Sequence, residues 1–314
     1  MNRRQFALTA SLSASVLMAA TACRSEVAEP VPQARTITDP AGNEVEVPAE
    51  VHAVFGMYTT DLDYALALGL EPARTQAIRG GSVGLPYFLP ADQIEGLETI
   101  VNYPTFEYEK IAAIGPDLIL NGLGYEGGPD VTALQAIAPT YTFNGFAGDW
   151  REDLTAMGTA FGRGAEAQQF LDRIDARTAE VKAVVDALDE PPTILVGWYD
   201  PKDAGFSGPQ LDNLSGLVFH DLGIATPALV TDTWTTVSRE RIPELSDADV
   251  IVLAVETVDD IETELTRARE DTIWHQLPAV AEDRIMGISN ELSYASPHAH
   301  LEFLNQVEKA LALL

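Results

Sequence analysis

The sequence predicts an α/β protein of two Rossmann-like lobes with mainly parallel sheets, joined by a single long helix. Three observations predict it. Short, continuous apolar runs such as Leu118-Ile119-Leu120 and Val250-Ile251-Val252-Leu253-Ala254 alternate with amphipathic helical patterns, as strands covered on both faces of a sheet do. From residue 149 to 190 the alternation stops, and Leu154, Met157, Phe161, Ala165, Phe170, Ile174, Val181 and Val185 fall mostly at helical spacing. After Pro191-Pro192 the strand and helix alternation resumes.

Taken in order, residues 1–22 read as an export signal. A basic head, Arg3-Arg4, precedes a run of small and apolar residues that ends at Ala20-Thr21-Ala22. Cys23, the only cysteine, follows at once, and a lone cysteine forms no internal disulfide. The segment resembles a bacterial lipoprotein signal, which implies lipidation of Cys23 and attachment to a membrane surface through that anchor alone. Residues 23–36, poor in large apolar groups and carrying two prolines, read as the tether.

The first lobe is expected over 37–148. It opens with a hairpin turning at Asp39-Pro40-Ala41-Gly42-Asn43. A strand at 52–56 and a helix from Thr60 ended by Gly69 follow, then a short strand at 76–78. A helix at 108–114 stopped by Gly115-Pro116, a strand at 117–121, a helix at 131–137 and a strand at 140–143 complete the lobe. The connecting helical stretch is assigned to 149–190, with glycines at 158, 162 and 164 dividing it. The second lobe, 191–314, offers strands at 193–198, 250–254 and 284–288, helices at 213–222 and up to Arg269, and a closing helix at 300–313.

Composition narrows the function. With 19 basic against 48 acidic residues the net charge is -29, which makes nucleic acid an improbable partner. No Gly-x-Ser-x-Gly elbow, His-Glu-x-x-His zinc motif or Gly-x-x-x-x-Gly-Lys phosphate loop is present, so the expectation is that the protein is not an enzyme. Five histidines offer few ways to build a metal site, and His298-Ala299-His300 is only a pair without carboxylate or thiolate neighbours at ligand spacing.

Four motifs, in this order and spacing, resemble the substrate-binding proteins of bacterial ABC importers for iron-siderophore complexes, whose relatives bind cobalamin or haem. They are the Asp39-Pro40-Ala41-Gly42 hairpin, the stretch from Glu109 through Pro116-Asp117 to Leu120, the stretch from Ser238 through Leu245 to Ala248-Asp249-Val250, and Trp274 through Ile285. The resemblance covers about residues 37–314. It implies two lobes on one rigid helix with ligand held in the cleft between them, a monomer that delivers its cargo to an ABC permease, and no cofactor of its own. The implied ligand is a ferric siderophore, with cobalamin or haem as the alternative. It also implies that Glu109 and Glu240, one per lobe, meet arginines of the permease, although capping of a helix start explains a carboxylate there equally well.

Cleft candidates lie on loops after strands, the ligand edge of open α/β sheets. In the first lobe these are Tyr58, Arg79, Tyr103 and Tyr125; in the second, Trp198, Tyr199, Phe206, Trp234 and Tyr294. Aromatic walls suit a large amphipathic chelate, with lobe packing the competing role for each ring. Arg79, alone in a glycine-rich loop, has a guanidinium able to hold several chelator oxygens, with a plain surface position as its competing role.

Overall fold

The first element of the computed structural model, which describes residues 34–146, 149–200, 205–209, 214–230 and 234–314, is the hairpin of β1 (Arg35–Thr38) and β2 (Glu44–Val47). The expected export signal and Cys23 lie outside the described residues. Asp39 makes the turn: its carboxylate accepts from the Asn43 amide at 2.7 Å, while Gly42 takes the positive φ of 88°. The same carboxylate accepts from the Thr142 amide at 2.9 Å, so the turn residue also fastens the hairpin to the lobe.

The first lobe continues through β3 (Val54–Gly56), α1 (Thr59–Ala67), β4 (Thr75–Arg79), α2 (Ala91–Ile94), β5 (Glu98–Tyr103), α3 (Tyr108–Ile114), β6 (Leu118–Asn121), α4 (Val131–Gln135) and β7 (Thr140–Thr142). Strands β3, β6 and β7 form one parallel sheet and β4 and β5 a second. Buried Gln76 joins the two: its amide donates to the Val54 carbonyl at 2.8 Å and its oxygen accepts from the Gly56 amide at 3.0 Å. One side chain thus replaces ladder bonds between sheets.

The helical stretch is divided at Gly162, whose φ of 69° ends α5 (Trp150–Phe161) and turns the chain into α6 (Gly164–Val185). The two helices do different work. Helix α5 buries Trp150, Leu154, Met157 and Phe161 in the first lobe's core. Helix α6, 22 residues and about 33 Å long, buries Ala167, Phe170 and Ile174 in that core and then Val181 and Val185 in the core of the second lobe. A single apolar stripe at helical spacing is therefore shared by both lobes.

The second lobe contains β8 (Ile194–Asp200), β9 (Gly205–Pro209), α7 (Leu214–Leu222), β10 (Trp234–Val237), a 3-10 helix Arg239–Leu245, β11 (Val250–Val255), α8 (Ile261–Glu270), α9 (Pro278–Ala281) and β12 (Ile285–Ser289). Its sheet order is β10-β9-β8-β11-β12. The centre is parallel, as expected, while β9 and β10 add an antiparallel edge that the sequence reading did not contain. After a 3-10 turn at Asn290–Ser293 the chain ends with α10 (Pro297–Leu311). That helix starts three residues before the expected His300, because Ser296 occupies the cap position and Pro297 the first turn, where its missing N–H costs nothing.

Two strand-start aspartates do equivalent work in the two lobes. Asp117, before β6, accepts from the His52 and Ala53 amides at 2.7 and 3.1 Å; Asp249, before β11, accepts from the Thr193 amide at 2.8 Å. Each sits in one of the resemblance motifs and ties the entry of one parallel strand to that of its neighbour.

The rod gives the first testable outcome. Ala179 is exposed on α6 between the stretches buried in the two cores. Urea unfolding of A179G should show a loss of about 1 kcal/mol, and A179P one of about 3 kcal/mol or more, since proline also removes a ladder bond inside the rod.

Candidate functional site

Four first-lobe strand ends supply one wall of the site. Tyr58 follows β3, Arg79 ends β4, Tyr103 ends β5 and Tyr125 follows β6. Tyr58 is the hub of an aromatic cluster: edge-to-face contacts join it to Tyr103 at 5.6 Å, to Phe146 at 5.7 Å and to Tyr294 at 5.7 Å. Phe146 in turn meets Tyr125 at 6.0 Å and Tyr294 at 5.5 Å. Of the predicted residues, the structure therefore brings Tyr58, Tyr103, Tyr125 and Tyr294 together. Phe146 was missed; it follows a strand end as the others do, and that position was the signal that could have found it.

The loops that carry these residues are held close to the strands. Asp61, fully buried in the first turn of α1, accepts from the Tyr58 and Gly122 amides, each at 3.1 Å. Burial pushes its carboxyl up to about 7, against the lowering effect of those amides. The Gly80 amide donates to the Tyr103 carbonyl at 2.8 Å, and a Cβ at Gly80 would stand 3.2 Å from that oxygen, so glycine lets the Arg79 loop lie against β5.

Burial pushes the phenols of Tyr58 and Tyr294 above the ordinary tyrosine value, and the two hydroxyls are paired with each other. Both therefore stay neutral, Tyr58 at 2% exposure within the first-lobe core and Tyr294 packed against it.

Arg79 does not stand alone. One of its terminal nitrogens donates to Glu256, the residue after β11, and its Nε lies 3.9 Å from Glu291 in the 3-10 turn after β12. Burial works against its charge, but Glu256, the Tyr294 and Tyr58 phenols and Glu291 outweigh that and hold its pKa above the ordinary guanidinium value. Its side chain is 18% exposed, which separates it from an ordinary surface arginine. Glu291 also accepts from the Thr59 hydroxyl at 3.2 Å and the Ser82 hydroxyl at 3.1 Å. Both glutamates were missed, although each follows a strand whose end the same argument marks for ligands.

Two cavities meet at Glu256. One of about 460 Å³ is lined by Trp198, Tyr199, Ser207, residues 253–256, Asp260, Glu264 and Arg267 of the second lobe. The other, of about 150 Å³, lies between residues 82–87 of the first lobe and Glu256, Thr257, Val258, Ser289 and Glu291 of the second. The cleft thus opens between the carboxyl ends of the strands of both lobes.

The other predicted residues are placed as follows. Trp198 and Tyr199 line the larger cavity, and Tyr199 also donates to Asp271 at 3.0 Å and packs edge-on against Trp274 at 5.2 Å. Phe206 is a correction: it is 0% exposed in the second-lobe core, where its ring fills the space left by Gly197, at which a Cβ would stand 2.5 Å away. Trp234 gives its backbone to β10, and its side chain lies outside what is described. Glu109 and Glu240 are exposed in the first turns of α3 and of the Arg239–Leu245 helix, neither of them as the cap residue.

Beneath the cleft, buried Asp63 on α1 anchors the start of α10. Its carboxylate accepts from the Ser296 hydroxyl at 2.6 Å and from the His298 amide at 2.9 Å, and the His298 ring meets the same group. His300 accepts from the Trp150 indole at 3.0 Å, and burial, helped by Arg151, lowers its pKa to about 3, so that it stays neutral. Both histidines are thus engaged inside the protein. Among the described residues, no group of three or more histidine, cysteine or acidic side chains is arranged to hold a metal ion, and no helix is long and apolar enough to cross a membrane.

With this geometry in view, comparison with known proteins is decisive. A family model described as periplasmic binding protein matches residues 90–292. The chain belongs to the periplasmic binding protein family. Within that family it is 24% identical over 259 residues to a probable siderophore-binding lipoprotein, YfiY, of Bacillus subtilis (strain 168), covering 78% of this chain and 77% of that one. The fold matches a FhuD fold-family component of a Fep/Fec-like ferrichrome ABC transporter from Bacillus subtilis, with a TM-score of 0.71 at 22% identity over 88% of this chain and 100% of that one. It also matches Staphylococcus aureus SirA complexed with staphyloferrin B, with a TM-score of 0.67 at 18% identity over 88% and 98%. The similar proteins named here are a siderophore-binding lipoprotein, a ferrichrome transporter component and a staphyloferrin B complex, in line with the motif resemblance.

The Asp63 anchor is directly testable. Asp63→Ala strands the Ser296 hydroxyl and the α10 amides in a buried site, so chemical denaturation should show a loss of about 3 kcal/mol. Asp63→Asn, which keeps one acceptor, should lose less.

Proposed function

We propose that the protein is an extracytoplasmic solute-binding lipoprotein that captures a ferric siderophore in the interlobe cleft and delivers it to an ABC permease. The observation that supports this reading is the cluster of four tyrosines and Phe146 at strand ends, beside an Arg79 that meets Glu256 and Glu291 of the other lobe. Such a surface offers apolar area with hydroxyl and guanidinium donors at its edges, which suits an organic shell around iron. The coordination sphere of the cargo is already filled, so the protein need supply recognition only. No residue is assigned a catalytic step. Haem held through a tyrosinate is the less favoured ligand, because burial of Tyr58 and Tyr294 opposes the ionised phenol that such a bond needs.

Cys23 is the proposed lipid attachment point after removal of residues 1–22, holding a monomer at the periplasmic or outer cell surface. Residues 23–36 serve as its tether, between that anchor and lobes assigned to 37–148 and 191–314. Exposed Glu109 and Glu240 are the proposed permease contacts, one on each lobe, and their exposure leaves them available to arginines of a partner.

Two experiments test this. Tryptophan fluorescence titrated with ferric siderophores, cobalamin and haemin should show submicromolar quenching by a ferric siderophore, and saturation by cobalamin or haemin alone would reassign the ligand. For docking, the Glu109→Lys, Glu240→Lys double variant should lose most iron uptake in cells while its siderophore affinity stays unchanged. Uptake at the native level would remove both residues from that role.

A further inference from the structure

The charge lining of the cleft bears on which ferric chelates it accepts. Glu256, Asp260 and Glu264 line the larger cavity with a single base, Arg267, which is itself paired with Glu264. Glu256 and Glu291 line the smaller cavity, to which no described base contributes its own lining. Arg79 stands between them, but Glu256 and Glu291 already face it. Among the described residues the two cavities therefore present four carboxylates against one lining guanidinium, Arg267, with Arg79 beside them, and both guanidiniums are already paired, within a chain of net charge -29. The tyrosine wall adds no positive charge.

This arrangement has a consequence for ferric complexes, whose charge depends on the chelating group. Three dianionic catecholates around Fe(III) leave a trianion. Three monoanionic hydroxamates leave a neutral complex, made cationic by an amine tail. Enclosing a trianion here would place it beside surplus carboxylates, with no unpaired base among the described residues to offset its desolvation. A neutral or cationic chelate meets no such cost.

The geometry points to selection by charge: the cleft takes ferric chelates of the hydroxamate class, neutral or cationic overall, and rejects tris-catecholate trianions. This inference rests on the siderophore reading given above and deepens it. The test is a set of fluorescence titrations at low ionic strength with three probes: a neutral ferric trihydroxamate, a cationic one with an amine tail, and a ferric tris-catecholate. Both trihydroxamates should bind, and the trianion should bind at least about tenfold more weakly, with a gap that narrows as salt is raised. In the Glu256→Gln, Glu264→Gln double variant, which removes one carboxylate from Arg79 and the partner of Arg267, the ratio of trianion to neutral-probe affinity should rise at least about tenfold, whatever the change in neutral binding. A cooperative urea-unfolding transition certifies that the variant is folded. Equal or tighter binding of the trianion by the native protein overturns the charge selection and leaves the siderophore reading intact. Failure of all three probes, with saturation by cobalamin or haemin, overturns both.

Discussion

One helix sets the terms for the rest of the molecule. The stripe formed by Ala167, Phe170, Ile174, Val181 and Val185 is buried in two cores at once, so α6 cannot bend without either opening its hydrogen-bond ladder or withdrawing an apolar face from one lobe. Gly162 places the break where it does no harm, upstream of the shared stripe, and leaves α5 wholly within the first lobe. Helix α10 adds a second brace, since it packs against α6 and is held at its start by Asp63 of α1. The width of the cleft is therefore largely set before any ligand arrives. A preset cleft suits a bulky, ready-made chelate, which does not need the protein to close around a bare ion.

The same preset geometry explains the electrostatics at the cleft. Arg79 and Glu256 face each other from the ends of strands in different lobes, and Glu291 gathers the hydroxyls of Thr59 and Ser82 from the first lobe. Arg79 is thus compensated by two carboxylates across the seam. The phenols stay neutral because burial penalises their ionised form. What remains for a ligand is apolar ring surface and neutral donors, with an excess of carboxylate around them.

Much of the fold was legible in the sequence because its central strands announce themselves. Every residue of β6 and β11 is buried, and both read as apolar runs between helices, β6 closing on the buried Asn121. Strand β5, Glu-Thr-Ile-Val-Asn-Tyr, escaped notice because only Asn102 in it is fully buried, and the glycines and proline of β9 read as loop. Candidate site residues were legible only as far as strand ends could be located. Tyr58, Tyr103, Tyr125, Tyr294 and Arg79 follow from that rule; Phe206 satisfied it in sequence yet points into the core, because a strand alternates faces and the sequence does not say which face is wet. Glu256 and Glu291 were hidden among 48 acidic residues, since nothing local distinguishes a carboxylate that crosses a cleft from one that meets water. The His298-Ala299-His300 pair illustrates the converse: its partners, Asp63 and Trp150, are remote in the chain, so its packing role emerges only in three dimensions.

The measurement that bears most directly on this account is the distance between the two lobes, read by spin labels on exposed positions 135 and 262 in a chain lacking Cys23, with and without a saturating ferric siderophore. A rod shared by two cores predicts a narrow distribution that moves by less than about 2 Å on binding. A broad distribution in the free protein, or a closure of many ångströms when ligand binds, would mean that the lobes swing on a hinge and that α6 does not set the cleft.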